Sequence, residues 1–99
     1  MSKEAILSIL KELKPHYAKE GIEILGLFGS VAREDEDVFS DIDIVYHLNY
    51  PKFHEQYHDG FSKLLRLESV AKELEKRFHK PVDFIPDTNK EIVQKVEYV

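Results

Sequence analysis

Apolar residues recur at helical spacing at the start of the chain: Ile6, Ile9, Leu10, Leu13 and Tyr17, with Lys and Glu between them. That period predicts an amphipathic helix over residues 3–20. Ser2 is placed to cap it and Gly21 to stop it. Pro15 lies inside the pattern and is expected to kink or divide the helix, because it lacks an N–H and crowds the preceding turn. The run IEILGLF, residues 22–28, is short, branched and bounded by glycines, which predicts a buried strand. Ser30 to about Asp35 suits one or two helical turns. Residues 41–48, DIDIVYHL, alternate and then turn apolar, as a second strand does. Residues 49–60 read as a loop punctuated by Pro51 and Gly60. The helical period returns from Phe61 to Phe78 through Leu64, Leu67, Ala71, Leu74 and Phe78. PVDFI, opened by Pro81 and closed by Pro86, reads as a third strand, and residues 88–97 as a last helix with Ile92, Val93 and Val96 inward. The leucines of 64–67 are assigned to the core with them.

The order α-β-α-β-α-β-α implies a layered α/β or α+β domain. With 99 residues and no repeat or low-complexity stretch, a single domain over 1–99 is expected. The formal net charge of −5 argues against direct nucleic-acid binding, because neutralising phosphates takes Lys and Arg. It leaves open a nucleotide held through a metal ion. The absence of cysteine excludes disulfides, thiolate chemistry and cysteine zinc sites. No apolar run approaches the ~20 residues needed to cross a membrane, and the N-terminus lacks a signal-peptide core. A cytoplasmic protein is expected.

The candidate chemistry lies in GSVAREDEDVFSDID, Gly29 to Asp43. On a strand, Asp41 and Asp43 share one face while Ile42 and Ile44 share the other. Two carboxylates so close repel unless they are solvated or bridged by a cation, and oxygen-only donors suit Mg²⁺. Gly29-Ser30 follows a strand and opens a helical turn, where free N–H groups and a close backbone favour an anion. Arg33, one turn on, can reach a phosphate or pair with a carboxylate. Asp83, with Val82 and Phe84 on the opposite face, joins the two carboxylates if its strand lies beside theirs. A phosphate cradle and three carboxylates are the equipment of metal-assisted phosphoryl or nucleotidyl transfer. Taken singly, each part is commonplace: an exposed acidic strand face, a helix cap, a surface aspartate. The weight rests on their combination and order.

That combination resembles a known signature. Gly29-Ser30, ten residues, then Asp41-Ile42-Asp43 matches the GSx10DxD pattern of nucleotidyltransferases related to DNA polymerase beta. The longer text LFGSVAR…SDIDIV…KPVDFI resembles the minimal nucleotidyltransferases, small proteins often paired as antitoxins with a HEPN-domain toxin. The resemblance implies an α+β nucleotidyltransferase fold: a mixed three-stranded sheet flanked by helices, with the DxD strand central. It implies that Gly29 and Ser30 hold the triphosphate of ATP, with Arg33 and Ser40 also in the nucleotide site. Asp41, Asp43 and Asp83 would be catalytic and bind two Mg²⁺ ions, Asp83 also orienting or deprotonating the attacking hydroxyl. The activity implied is transfer of AMP from ATP to a tyrosine of a HEPN-domain toxin. The alternatives are an antitoxin acting by complex formation alone, and transfer to a small molecule or an RNA end. The chain departs from many relatives at Glu34, where they carry glycine. Its acidic stretch Glu34 to Asp37 has no assigned role.

One rival motif stands outside this set. His54-Glu55-Gln56-Tyr57-His58 matches HExxH, which on a helix would face two imidazoles toward one zinc. Flanking Pro51 and Gly60 and the scarcity of apolar neighbours favour an exposed polar turn instead. His16, His47 and His79 are isolated in the sequence and read as structural or solvated.

Overall fold

The computed structural model describes residues 1–33 and 41–99, the Ser30 side chain excepted. Helix α1 is Lys3–Ala18, and the Ser2 hydroxyl accepts from the Ala5 N–H at 3.2 Å, the cap the sequence predicts. Pro15 does not divide it: α1 is one element with Pro15 inside, losing one ladder bond while Ile6, Leu10 and Tyr17 stay anchored in the core. Strand β1 is Ile22–Phe28, followed by a single helical turn, α2, Ser30–Arg33. Strand β2 is Ile42–Leu48, and β3 is Val82–Pro86.

The segment expected to be a loop, 49–60, contains helix α3, Tyr50–Gln56. Asn49 caps it and Pro51 lies in its first turn, where a missing N–H costs nothing. Phe53, fully buried, fixes it to the core. Helix α4, Gly60–Phe78, is capped by Asp59, which accepts from the Ser62 N–H at 2.7 Å, and ends on His79 in the left-handed region at φ 57°. The last helix is shorter than expected. Helix α5, Lys90–Gln94, ends early, and Glu97–Tyr98 form strand β4.

The sheet therefore has four strands, in order β3-β2-β1-β4, where three were expected. Strand β2 is antiparallel to β1 and parallel to β3, so the sheet is mixed and the DxD strand lies between the other two as expected. Strand β4 adds to the free edge of β1, antiparallel, pairing Gly26 with Tyr98 and Leu27 with Glu97. A bulge lies in β1: Ile24 pairs with Tyr46 but Gly26 with Val45, leaving Leu25 as the extra residue. It explains why the buried positions switch from 22 and 24 to 27, keeping all three side chains on the core face.

Those residues join Ile6, Leu10 and Tyr17 of α1, Ile42, Ile44 and Tyr46 of β2, and Val70, Leu74 and Phe78 of α4 in one apolar cluster. Of the leucines assigned to the core, Leu67 packs against this cluster, whereas Leu64 and Leu65 are 54% and 48% exposed. Helix α5 has no fully buried residue; Ile92, Val93 and Val96 are only half-buried.

A polar cluster ties the helices together. Arg66 of α4 donates to both carboxylate oxygens of Glu20, at 2.8 and 2.7 Å, and to Glu73 at 2.8 Å. The Tyr17 hydroxyl donates to Glu73 at 2.8 Å, and the Tyr57 hydroxyl donates to Glu20. Hydrogen bonding from Arg66 holds the Glu20 carboxyl below its usual range. Burial works against the Glu73 charge, but Arg66 and Tyr17 outweigh it and lower that carboxyl too.

Candidate functional site

The site forms where β1, β2 and β3 run into the loops at one end of the sheet. Parallel pairing of β2 and β3 puts Asp43 directly across from Asp83 and Ile44 across from Phe84. Adjacent strands lie ~4.8 Å apart, so in-register side chains on one face are neighbours. Core packing fixes this register. Ile42 and Ile44 are buried beneath the sheet, and the Tyr46 and Phe84 rings stack at 4.2 Å. Asp43 and Asp83 are thereby turned to the opposite face, as the alternation predicts. Asp41 stands one residue before β2 and is exposed, Asp43 is half-buried, and Asp83 is exposed.

The electrostatics of Asp43 record this crowding. Burial, then the charges of Asp83 and Asp41, push its carboxyl above the usual range, and Arg33 opposes them. The three aspartates and Arg33 are thus brought into one field. Among the described residues, however, no three His, Asp or Glu side chains converge tightly enough to hold a metal ion by themselves. The donors still fit a hard divalent cation in kind. All are carboxylate oxygens, Asp43 is crowded by the negative charges of the other two, and Mg²⁺ needs only one or two carboxylates when waters and phosphates complete its shell.

Gly29 closes the other side. It has φ +80°, a conformation costly for other residues, and a Cβ there would overlap the Asp43 Oδ2. The glycine of the motif therefore lets the turn lie directly against the carboxylate of the DxD strand. The Gly29 carbonyl accepts from the Arg33 N–H at 3.1 Å, closing α2. Gly29 also borders a cavity of about 190 Å³, lined by Phe28, Ala32, Arg33, Lys95 and Glu97. Nothing in the sequence marks Lys95: it is one lysine among many, and only the pairing of β4 with β1 brings it here. Ser40, the acidic stretch Glu34 to Asp37 and the side chain of Ser30 lie outside what the structure describes.

The HExxH segment does not form a zinc-binding helix face. His54 is in α3, but His58 lies beyond its end, and the two rings stand nearly perpendicular at 5.8 Å. The Lys63 ammonium lies 2.8 Å from the His54 Nδ1. His47 is not isolated: its Nδ1 meets Asp87 at 2.8 Å.

The family model of the nucleotidyltransferase domain matches residues 3–98 of the 99, and the chain belongs to that family. No curated protein and no solved structure gives a significant match. Membership accounts for the fold: a mixed sheet with helices packed against it, the glycine-serine turn after β1 and the DxD pair at the start of β2. It supports nucleotidyl transfer as the general activity. No described helix is long and apolar enough to cross a membrane.

Proposed function

We propose that the protein transfers AMP from ATP, with Mg²⁺, to a tyrosine hydroxyl of a HEPN-domain toxin and so acts as its antitoxin. The observation that carries the transferase reading is the register of Asp43 against Asp83 with Gly29 pressed on Asp43. It gathers the separated parts of the motif around one point. Gly29 and Ser30 would hold the triphosphate, with Arg33 and Ser40 as further nucleotide contacts. Asp41, Asp43 and Asp83 would bind the metal. A bound divalent ion would neutralise charge on the phosphates.

The acceptor oxygen forms a bond to the α-phosphorus as the bond to the bridging oxygen breaks, and pyrophosphate leaves with that electron pair. Asp83 is exposed and lies across from the half-buried Asp43, so it would orient the incoming hydroxyl and take its proton. A half-buried, crowded Asp43 is poised to gain from any cation that arrives.

A protein acceptor is supported by the surface beside Asp83. A groove of about 290 Å³ there is lined by Tyr46, Leu64, Leu67, Val82 and Phe84, with Glu68 at its polar side. Phe61, 71% exposed, and Leu65 extend the apolar surface along α4. Exposed apolar residues grouped at a site, rather than scattered, suit a protein partner.

The test is incubation of the chain with ATP labelled in the α-phosphate, Mg²⁺ and a HEPN-domain partner. It compares wild type with the Asp41→Ala/Asp43→Ala double variant. Label is expected on the partner with wild type alone. Label persisting with the double variant would sink the catalytic assignment. Equal neutralisation by both without label would favour an antitoxin that acts only by binding.

A further inference from the structure

We infer that Lys95 is a further nucleotide-binding residue, which with Arg33 makes the cavity beside Gly29 a polyphosphate subsite. The inference rests on the nucleotidyl-transfer reading and adds to it a residue outside the GSx10DxD motif. Three observations carry it.

The first is charge. The chain is acidic overall, at −5, yet this small cavity is walled by two cations, Arg33 from α2 and Lys95 from the approach to β4. Among the described residues its only carboxylate is Glu97, which faces the Lys3 ammonium at 3.8 Å. Lys95 has no ion-pair partner among the described residues.

The second is position. Gly29 is common to both halves of the site: a Cβ there would strike Asp43, and the same residue borders the cavity. An anion in the cavity would therefore meet the same glycine that lies against Asp43. A polyphosphate tail seated against Arg33 and Lys95 would lie beside the turn that is pressed on Asp43.

The third is that the structure spends contacts on holding Lys95 where it is. Its N–H donates to the Ile92 carbonyl at 3.0 Å. The Tyr98 hydroxyl donates to the Val93 carbonyl at 3.0 Å, closing the turn around it. The Val99 N–H donates to the carbonyl of the bulge residue, Leu25, at 2.9 Å, and the Lys14 ammonium donates to the Val99 carbonyl at 3.0 Å. Gly26 admits β4 at this point, since a Cβ there would overlap the Glu97 carbonyl oxygen. The fourth strand is thus a clamp that carries a lysine to the glycine-serine turn.

The experiment is calorimetric titration of the intact chain with ATP and, separately, with AMP, both in Mg²⁺, for wild type, Lys95→Gln and Lys95→Arg. Lys95 is exposed, so both variants are expected to melt as wild type does. Lys95→Gln should weaken ATP binding roughly ten-fold, toward the low end of what a charge-assisted hydrogen bond contributes. It should leave AMP binding unchanged, and Lys95→Arg should restore ATP binding. If wild type binds ATP and Lys95→Gln binds it equally well, or if AMP binding falls in parallel, Lys95 has no polyphosphate role, while the nucleotidyl-transfer reading stands. If wild type binds no ATP, that reading itself fails and takes the inference with it.

Discussion

Replacing Gly29 with alanine perturbs the site at its tightest point, and two separable effects follow. The first is backbone strain. At φ +80° a side chain costs about 1–2 kcal/mol, of which ~0.4–1 kcal/mol is returned because alanine narrows the unfolded ensemble. The net loss is about 1 kcal/mol, which lowers Tm by roughly 4–8 °C in a domain of this size. The second effect is local. The new Cβ would overlap the Asp43 Oδ2 and lie 3.3 Å from its Cγ, so the carboxylate must move. Displacing a group at a reacting centre by ~1 Å can cost about 10²-fold in rate. Gly29→Asn separates the two, because asparagine tolerates positive φ but still carries a Cβ. Thermal melts should show Gly29→Asn recovering most of the lost Tm, while label transfer from ATP stays down about 10²-fold in both variants. Transfer near the wild-type rate in either one would refute the claim that this turn must lie against Asp43.

Other consequences are open to simpler tests. Asp43→Asn removes a carboxylate that burial and its neighbours disfavour, so melts without divalent ions should show Tm unchanged or raised while transfer is lost; a clear drop in Tm would contradict the crowding described here. Arg66→Met strands Glu20 and Glu73, whose ion pairs with it leave Arg66 and Glu20 only 16% and 14% exposed. Denaturant unfolding should show a loss of about 2–4 kcal/mol, below the full value for a buried pair because Glu73 is more open. Both carboxyls are depressed in the folded state, so their stabilisation is complete above the ordinary glutamate range and is lost as pH falls through the depressed values. Melts against pH should therefore steepen below about pH 4.5 in wild type and flatten there in Arg66→Met. Phe61→Ser/Leu64→Ser, changed at exposed positions, should keep wild-type Tm and ATP binding yet reduce labelling of a protein partner; undiminished labelling would place the docking surface elsewhere.

The parts of the site were legible because their spacing is local. Alternation along DIDIV and VDF sorts aspartates from core residues, and Gly29-Ser30 stands where a strand must end. The residue pattern leaves the adjacency of the two strands as a condition and says nothing of their direction, since register depends on packing such as Tyr46 on Phe84. Helix α3 escapes the pattern because Pro51 and Gly60 read as loop punctuation, although Asn49 stands just before Pro51. Asn49 followed by Pro51 is the signature of a capped helix start, and Phe53 is the apolar residue that anchors it. The bulge at Leu25 and strand β4 were illegible for a different reason. A two-residue strand has no period, and its place is set by the distant Gly26, whose lack of a side chain gives no pattern of its own. Lys95 could not be singled out before that contact was known. Leu64 and Leu65 show the limit of helical periodicity, which marks an apolar face without saying whether this chain covers it.

The claim of nucleotidyl transfer is tested most directly by following both ends of the triphosphate in one reaction. ATP labelled in the α-phosphate and ATP labelled in the γ-phosphate are each incubated with the chain, Mg²⁺ and a HEPN-domain partner, and the protein and released pyrophosphate are counted. The α-label should remain on the partner and the γ-label should leave in pyrophosphate, in equal amounts. Retention of the γ-label on protein, or release of single phosphate without pyrophosphate, would contradict it.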